Sequence, residues 1–209
     1  RQMCIRDRNG IIITVLFACL IGSSLLFYAG WELIIVGLLC VLFAFLYTTG
    51  PYPLSYNGWG DILVIVFFGF VPVGGTYYVQ ALTWTTDTTI ASLICGLLID
   101  TLLVVNNYRD READARSGKR TVIVRFGEKF GSYLYLMLGM TASLLCFWFL
   151  FEGHLYAALL PLLYLIPHFL TWKRMVRIHS GKKLNSILGE TSRNMLLMGI
   201  LLSIGFFLN

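Results

Sequence analysis

"TTIASLICGLLIDTLLVVNNYRDREADARSGKRT" runs from Thr88 to Thr121. Its first twenty residues, 88–107, carry one charge, Asp100; the fourteen that follow carry eight. About 20 mainly apolar residues suffice for a helix to cross a bilayer. The stretch therefore predicts a membrane helix that emerges into water and stays charged there. Six further apolar segments are legible, at 10–28, 32–49, 61–80, 130–150, 156–172 and 193–208. None alternates polar and apolar residues as a membrane barrel strand does.

Composition agrees. Apolar residues make up 57% of the 209 and charged residues 13%, about half the usual share in a soluble domain. Mean hydropathy is +0.76. The expected fold is all-α, a polytopic transmembrane helical bundle with seven helices in one domain over 9–209. Four of the five cysteines, Cys19, Cys40, Cys95 and Cys146, lie inside apolar segments without metal-ligand spacing and read as small core residues. His154, His168 and His179 show no ligand spacing either.

The opening octet, "RQMCIRDR" at 1–8, fits nothing after it. Back-translated, it resembles the end of a sequencing-library transposon adapter, which makes it a non-native scar to be set aside. The alternative is a short basic cytoplasmic tail. A scar implies that an N-terminal piece of the protein is missing.

Basic residues give the topology. Of the thirteen Lys and Arg beyond the octet, seven lie in the connection 108–129 and five in 173–192; Arg193 stands at the edge of the latter. Two helices separate these connections, so both fall on one face, and the positive-inside rule makes that face cytoplasmic. The connection 50–60, two helices earlier, lands there too. The turns near Glu32, Asp87 and Glu152 face the other side.

The charged connection mixes acids with bases. Asp110 and Asp114 are four apart, so they stack on one face if the helix continues outward by two turns. Two carboxylates so placed suit a cation between them. Mg²⁺ takes oxygen ligands and often binds through one or two carboxylates plus substrate phosphates. Asn106 and Asn107 add amide groups one turn earlier; Arg109, Lys119 and Arg120 offer cations suited to phosphate. The connection thus holds both halves of a diphosphate site. The bland alternative is a solvated loop that sets topology or touches lipid head groups. Nucleic-acid binding is not expected: Asp110, Glu112, Asp114 and Glu128 offset the bases, and the segment is pinned to the membrane.

Asp100 is costly inside an apolar helix, roughly 2.5–3.5 kcal/mol on insertion scales. Positions 100, 107 and 114 are seven apart and share a face, predicted to point at one cavity. A protonated Asp100 bonded to a neighbouring helix is the alternative. A second unusual connection, "YTTGPYPLSYNGWGD" at 47–61, has no basic residue and is dense in Gly, Pro and Tyr, which predicts a compact turn. It suits a flat apolar ligand, or else interfacial anchoring by Tyr and Trp. In "FFGFVPVGGTYYVQ" at 67–80, Gly74 and Gly75 predict close helix contact and Pro72 a kink.

These stretches, "YTTGPYPLSYNGWGDILVIVFFGFVPVGGTYYVQ" and "NNYRDREADARSGKRTVIVRFG", with "LNSILGETSRNMLLMGILLSIGF" near the end, resemble the UbiA-type membrane prenyltransferases. The resemblance covers residues 11–209 and is greatest to the branch that prenylates 1,4-dihydroxy-2-naphthoate in menaquinone, a quinone, biosynthesis. The branch acting on 4-hydroxybenzoate tends to carry a more Asp-rich second motif.

The resemblance implies nine helices around a cavity open to the membrane, with seven of them present here. It implies two Asp-rich cytoplasmic motifs that hold Mg²⁺ on the diphosphate of a polyprenyl donor. Asp110 and Asp114, with Asn107 nearby, match the second; the first has no counterpart, so this chain alone is expected to be inactive. The implied reaction is transfer of the polyprenyl chain from polyprenyl diphosphate to the naphthoate, followed by loss of CO₂ and a proton, giving demethylmenaquinone. Asp110 and Asp114 would be the metal-binding and catalytic carboxylates, and Asp61 would orient or deprotonate the ring. Asn106, Asn107, Arg109, Lys119, Arg120, Tyr56 and Asn57 would bind substrate. The implied setting is the bacterial inner membrane, with the lipid bilayer receiving the donor's tail. Rival readings are a prenyltransferase for another aromatic acceptor such as 4-hydroxybenzoate, and a membrane transporter. A transporter predicts inverted repeats and a path of intramembrane charges; the sequence has no such repeat and one deep charge, Asp100.

Overall fold

A computed structural model of the chain describes residues 5–208, with side chains from residue 9. Residues 1–4, half of the suspected scar, lie outside the described residues; residues 5–8 are helical. Seven apolar helices follow one another: α1 (Asn9–Ala29), α2 (Glu32–Thr48), α3 (Gly60–Ala81), α4 (Thr86–Arg116), α5 (Glu128–Phe151), α6 (Leu155–Ile178) and α7 (Leu184–Phe207). Six are at least 18 residues long; α2, with 17, is at the short end of what crosses a bilayer. No strand occurs among the described residues. The chain is a multi-pass helical membrane protein, as its hydropathy predicts.

α4 is the axis of the bundle and packs against α3, α5 and α7. Thr85 caps its start, its hydroxyl accepting from the Thr88 N–H at 3.1 Å. Its end is closed by Gly118 at φ +79° and by the Lys119 N–H donating to the Asp114 carbonyl at 2.9 Å. Thirty-one residues at 1.5 Å each reach about 46 Å, against about 30 Å of hydrocarbon. The surplus is the charged end, so Asp110 and Asp114 ride on a rigid helix rather than a loop.

The other basic connections are also more helical than the sequence predicts. Within 108–129, α4 runs to Arg116 and a short helix fills Val122–Phe126. Within 173–192, α6 runs to Ile178 and α7 starts at Leu184, nine residues before the expected position. Charge ends the bilayer crossing but not the helix, because water and head groups satisfy charged side chains without disturbing backbone hydrogen bonds. These ends converge. Glu128, at the start of α5, accepts from Tyr108 Oη at 2.7 Å and from Arg111 Nη2 at 3.1 Å, and pairs with His179 Nδ1 at 2.5 Å. Arg109 Nη1 donates to Asn185 Oδ1 at 2.9 Å, tying α4 to α7. The Arg120 N–H donates to the Tyr56 carbonyl at 2.7 Å, bringing in the connection after α2. The three connections expected on one face do share one end of the bundle.

α3 meets α4 through glycine, though not through the predicted pair. A Cβ on Gly69 would stand 2.5 Å from the Ser92 carbonyl oxygen and 2.8 Å from Gly96 Cα; one on Gly96 would meet the Ile65 carbonyl oxygen at 2.8 Å. This is small-residue packing of the kind that draws membrane helices together. Gly74 instead lies under the Trp84 ring, and Gly75 borders open space. Pro72 falls within a π-helical stretch, Ile65–Gly74. The wider turn accommodates a residue that has no N–H and whose ring clashes in a regular α-helix.

The core runs along α4 to α7 and includes Val104, Tyr108, Tyr135, Tyr164, Met175, Ile187 and Met198, all fully buried. His168 belongs to it as a structural residue: Nδ1 pairs with Tyr164 Oη at 2.9 Å, Nε2 faces the Leu136 carbonyl at 3.2 Å, and the ring stacks on Tyr135. α1 packs on α2 and on the end of α3, Phe43 of α2 meets Phe67 of α3, and α2 has no buried residue.

Candidate functional site

A cavity of about 380 Å³ opens at the charged end of the bundle, where the outer part of α4 meets the connection between α2 and α3. Along α4 it is lined by Leu103, Asn106, Asn107 and Asp114. Asn107 and Asp114 are seven apart, so the shared face predicted from that spacing does look into one cavity. Asp100, seven residues earlier, does not line it and is 1% exposed. It sits deeper in the bundle, fully buried within α4.

The opposite wall comes from the Gly- and Tyr-rich connection. Tyr47, Ser55, Tyr56, Gly58 and Asp61 line it. The turn is compact because Ser55 Oγ donates to the Tyr47 carbonyl at 2.5 Å and Asn57 Nδ2 to the Pro53 carbonyl at 2.8 Å. It is pressed onto the segment after α4. Arg125 Nη2 donates to the Asn57 carbonyl at 2.7 Å, and a Cβ on Gly58 would stand 3.0 Å from the Arg120 carbonyl oxygen. Gly58 also has φ +80°, so both space and backbone require glycine there. Thr121 closes the rim and caps the short helix, its Oγ1 accepting from the Val124 N–H at 3.3 Å.

The predicted residues divide accordingly. Asp61, Tyr56, Asn106, Asn107, Asp114 and Lys119 all line the cavity. Asp110 does not; its carboxylate is held bidentately by Arg109, at 2.7 and 2.6 Å. Arg109 Nη2 also donates to Asn106 Oδ1 at 2.7 Å. Arg120 contributes its backbone to the clamp, and Asn57 spends its side-chain amide within its own turn. Tyr47, Ser55, Thr121 and Asn185 were not singled out from the sequence. Three of them stand inside the stretches that carried the resemblance and Asn185 near the start of the third, but only the fold shows which way they face.

The charged side chains that line the cavity are two carboxylates, Asp61 and Asp114, and one cation, Lys119. Lys119 Nζ lies 3.3 Å from Asp114 Oδ2, its one ionic partner among the described residues. The Asn107 side chain has no hydrogen-bond partner among the described residues. Asp61 Oδ1 is buried and unpartnered, as is Asp100 Oδ1. No three His, Cys, Asp or Glu residues cluster as a metal site among the described residues. The donor set still fits a hard cation that arrives with phosphate: Asp114 and Asn107 present oxygens to the cavity, and such an ion takes its remaining ligands from phosphate and water.

A model of the UbiA prenyltransferase family matches residues 6–205. The chain belongs to this family. It is 33% identical over 218 residues to a 1,4-dihydroxy-2-naphthoate octaprenyltransferase of Escherichia coli (strain K12), covering 97% of this chain and 68% of that protein. It is 33% identical over 195 residues to the protein of that name in Haemophilus influenzae, covering 89% and 59%. A third, in Mycobacterium tuberculosis, is 43% identical over 119 residues, covering 57% and 40%. The chain therefore spans between about two fifths and two thirds of the length of these relatives. No solved structure matches it.

Proposed function

We propose that the protein transfers a polyprenyl chain from polyprenyl diphosphate to 1,4-dihydroxy-2-naphthoate, with decarboxylation, in menaquinone biosynthesis. The observation that carries this reading is one cavity that gathers Asp61, Asn107, Asp114 and Lys119 at the membrane boundary. Family membership supports prenyl transfer, and the names of the relatives support the naphthoate acceptor over 4-hydroxybenzoate. The transporter reading is not favoured.

The reaction breaks the allylic C–O bond, and charge builds on the departing diphosphate. Lys119 stands at the rim to meet that charge, and Asn107 adds amide donors. Asp114 would hold a divalent ion, Mg²⁺, on the diphosphate, while Asp110, one turn nearer the membrane, stays clamped by Arg109; when bound, that ion would neutralise developing negative charge. Arg109 keeps Asp110 and Asn106 in place from behind. The prenyl tail lies along the apolar helix surfaces below, so the donor never leaves the bilayer. The ring enters between Tyr47, Tyr56 and Asp61. Its nucleophilic carbon bonds to the allylic carbon and then gives up its proton; CO₂ leaves and a proton replaces it. Asp61, which lines the cavity, accepts the ring proton.

This site faces the cytoplasm of a bacterial inner membrane under the positive-inside rule, with 50–60, 108–129 and 173–192 on that side. The test is an acceptor comparison. Membranes bearing the full-length protein, with the N-terminal helices that precede this chain in its relatives restored, are supplied with polyprenyl diphosphate, Mg²⁺ and either 1,4-dihydroxy-2-naphthoate or 4-hydroxybenzoate. Prenylated, decarboxylated product from the naphthoate alone is expected. Product from 4-hydroxybenzoate alone contradicts the assigned acceptor.

A further inference from the structure

A second cleft, about 440 Å³, opens between α6 and α7 at the same end of the bundle, lined by residues of those two helices alone and by none of the first cavity's. Its polar wall is Lys173, Arg174 and Arg177 of α6, with Glu190, Arg193 and Asn194 of α7. Among the described residues only one of the four cations has an ionic partner: Arg174 Nη1 pairs with Glu190 Oε1 at 2.7 Å. Glu190 is held further by Thr171 Oγ1 at 3.4 Å, and Thr171 by Asn194 Nδ2 at 2.9 Å. These bonds fix the back wall. Lys173 Nζ lies over the Phe169 ring at 4.6 Å. The side chains of Arg177 and Arg193 have no hydrogen bond or ion pair among the described residues, and both residues are exposed. The cleft thus keeps an excess of three positive charges around a pre-shaped opening.

Its depth decides what fills it. From Met195 to Phe207, α7 carries no charge over about 20 Å, so Arg193 is the first charge on that helix met from the membrane side. On α6 the stretch free of Lys and Arg ends between Trp172 and Lys173, beside that point, since Asn194 of α7 bonds Thr171. Immediately below the cations the lining turns apolar, with Pro167 and Leu170. Beneath those, Leu163, Ile166 and Leu197 continue an exposed apolar strip toward the membrane centre. A cationic cleft with hydrocarbon contact directly below matches a molecule with an anionic head and acyl chains. A free phosphate would leave the lower half unused.

We infer that the α6–α7 cleft binds an anionic glycerophospholipid, its phosphate between Arg177 and Arg193 and its acyl chains along Leu170 and Ile166. The bound lipid bridges two helices joined by the short turn His179–Lys183, and so braces the end of the bundle where Arg109 meets Asn185. This inference does not depend on the reaction assigned to the first cavity.

Native mass spectrometry of the protein in detergent micelles tests it, with phosphatidylglycerol and phosphatidylcholine titrated in turn. Phosphatidylglycerol is expected to bind one molecule per chain in preference to phosphatidylcholine. Arg177→Gln/Arg193→Gln is expected to weaken that binding roughly thirtyfold, at about fivefold per basic residue held near the surface. Lys182→Gln/Lys183→Gln removes the same charge from the adjacent turn, outside the cleft lining, and should leave binding within about twofold. Equal losses in the two double variants would overturn the inference in favour of diffuse attraction. So would equal binding of both lipids, or complete displacement by millimolar inorganic phosphate, which would mark a site for a free anion. Thermal unfolding of each variant in phosphatidylcholine micelles separates loss of the lipid from loss of the fold.

Discussion

The backbone N–H of Arg120 donates to the carbonyl of Tyr56 across 2.7 Å, joining two connections that are far apart in sequence. With Arg125 on the Asn57 carbonyl, it presses the Gly- and Tyr-rich turn onto the end of α4 and makes a cavity from two surfaces that would otherwise be open. Arg125→Gln is therefore expected to raise KM for both substrates several-fold while leaving the unfolding temperature nearly unchanged. Gly58→Ala should act more strongly. It adds a Cβ 3.0 Å from the Arg120 carbonyl oxygen at a backbone angle that disfavours side chains. Steady-state kinetics beside a thermal melt checks both.

Asp110 and Asp114 look equivalent in the sequence and are not equivalent in the fold. Asp114 faces the cavity with one lysine beside it; Asp110 is clamped by Arg109. Asp114→Asn is expected to lower kcat by about 10²–10³, the scale of removing one strong charge-stabilising group from an active site. Asp110→Asn should cost less in kcat. Equal losses at both positions would place both carboxylates on the reacting diphosphate.

Gly69 and Gly96 are predicted to be sensitive positions of α3 and α4, and Gly75 a tolerant one. Gly69→Ala forces the helices apart and should destabilise the protein by about 1–3 kcal/mol, the usual cost of overpacking. Gly75→Ala, which borders open space, should be neutral or slightly stabilising. Denaturation in mild detergent distinguishes them.

Glu128 holds Tyr108, Arg111 and His179 together. Glu128→Gln keeps the shape and removes the charge. It should cost about 1–2 kcal/mol, after discounting for the partly exposed His179 contact. The unfolding midpoint reports it, and the midpoint of Glu112→Gln provides the comparison.

Much of this architecture is legible in the sequence because hydrocarbon imposes simple rules. Apolar runs mark the crossings, and Lys and Arg mark the end at which connections gather. The spacing of Asn107 and Asp114 is also legible, since seven residues bring a helix back to nearly the same face. Three features were not. Helix ends are misplaced by sequence, as at Leu184, because charge stops burial and leaves backbone hydrogen bonding intact. The close α3–α4 approach at Gly69 and Gly96 hides among other glycines, including the more conspicuous Gly74 and Gly75. The pairing of Asp110 with Arg109, and of Arg109 with Asn185, depends on where α7 begins and which way each side chain turns.

The central claim is that the donor's diphosphate sits between α4 and the turn after α2, not in the basic cleft between α6 and α7. A polyprenyl diphosphate carrying a diazirine on its first isoprene unit, photolysed in membranes bearing the protein and followed by peptide mapping, tests this most directly. Labelling within 47–61 and 100–121 is the predicted result. Labelling confined to 167–194 would contradict the account and make the α6–α7 cleft the donor site.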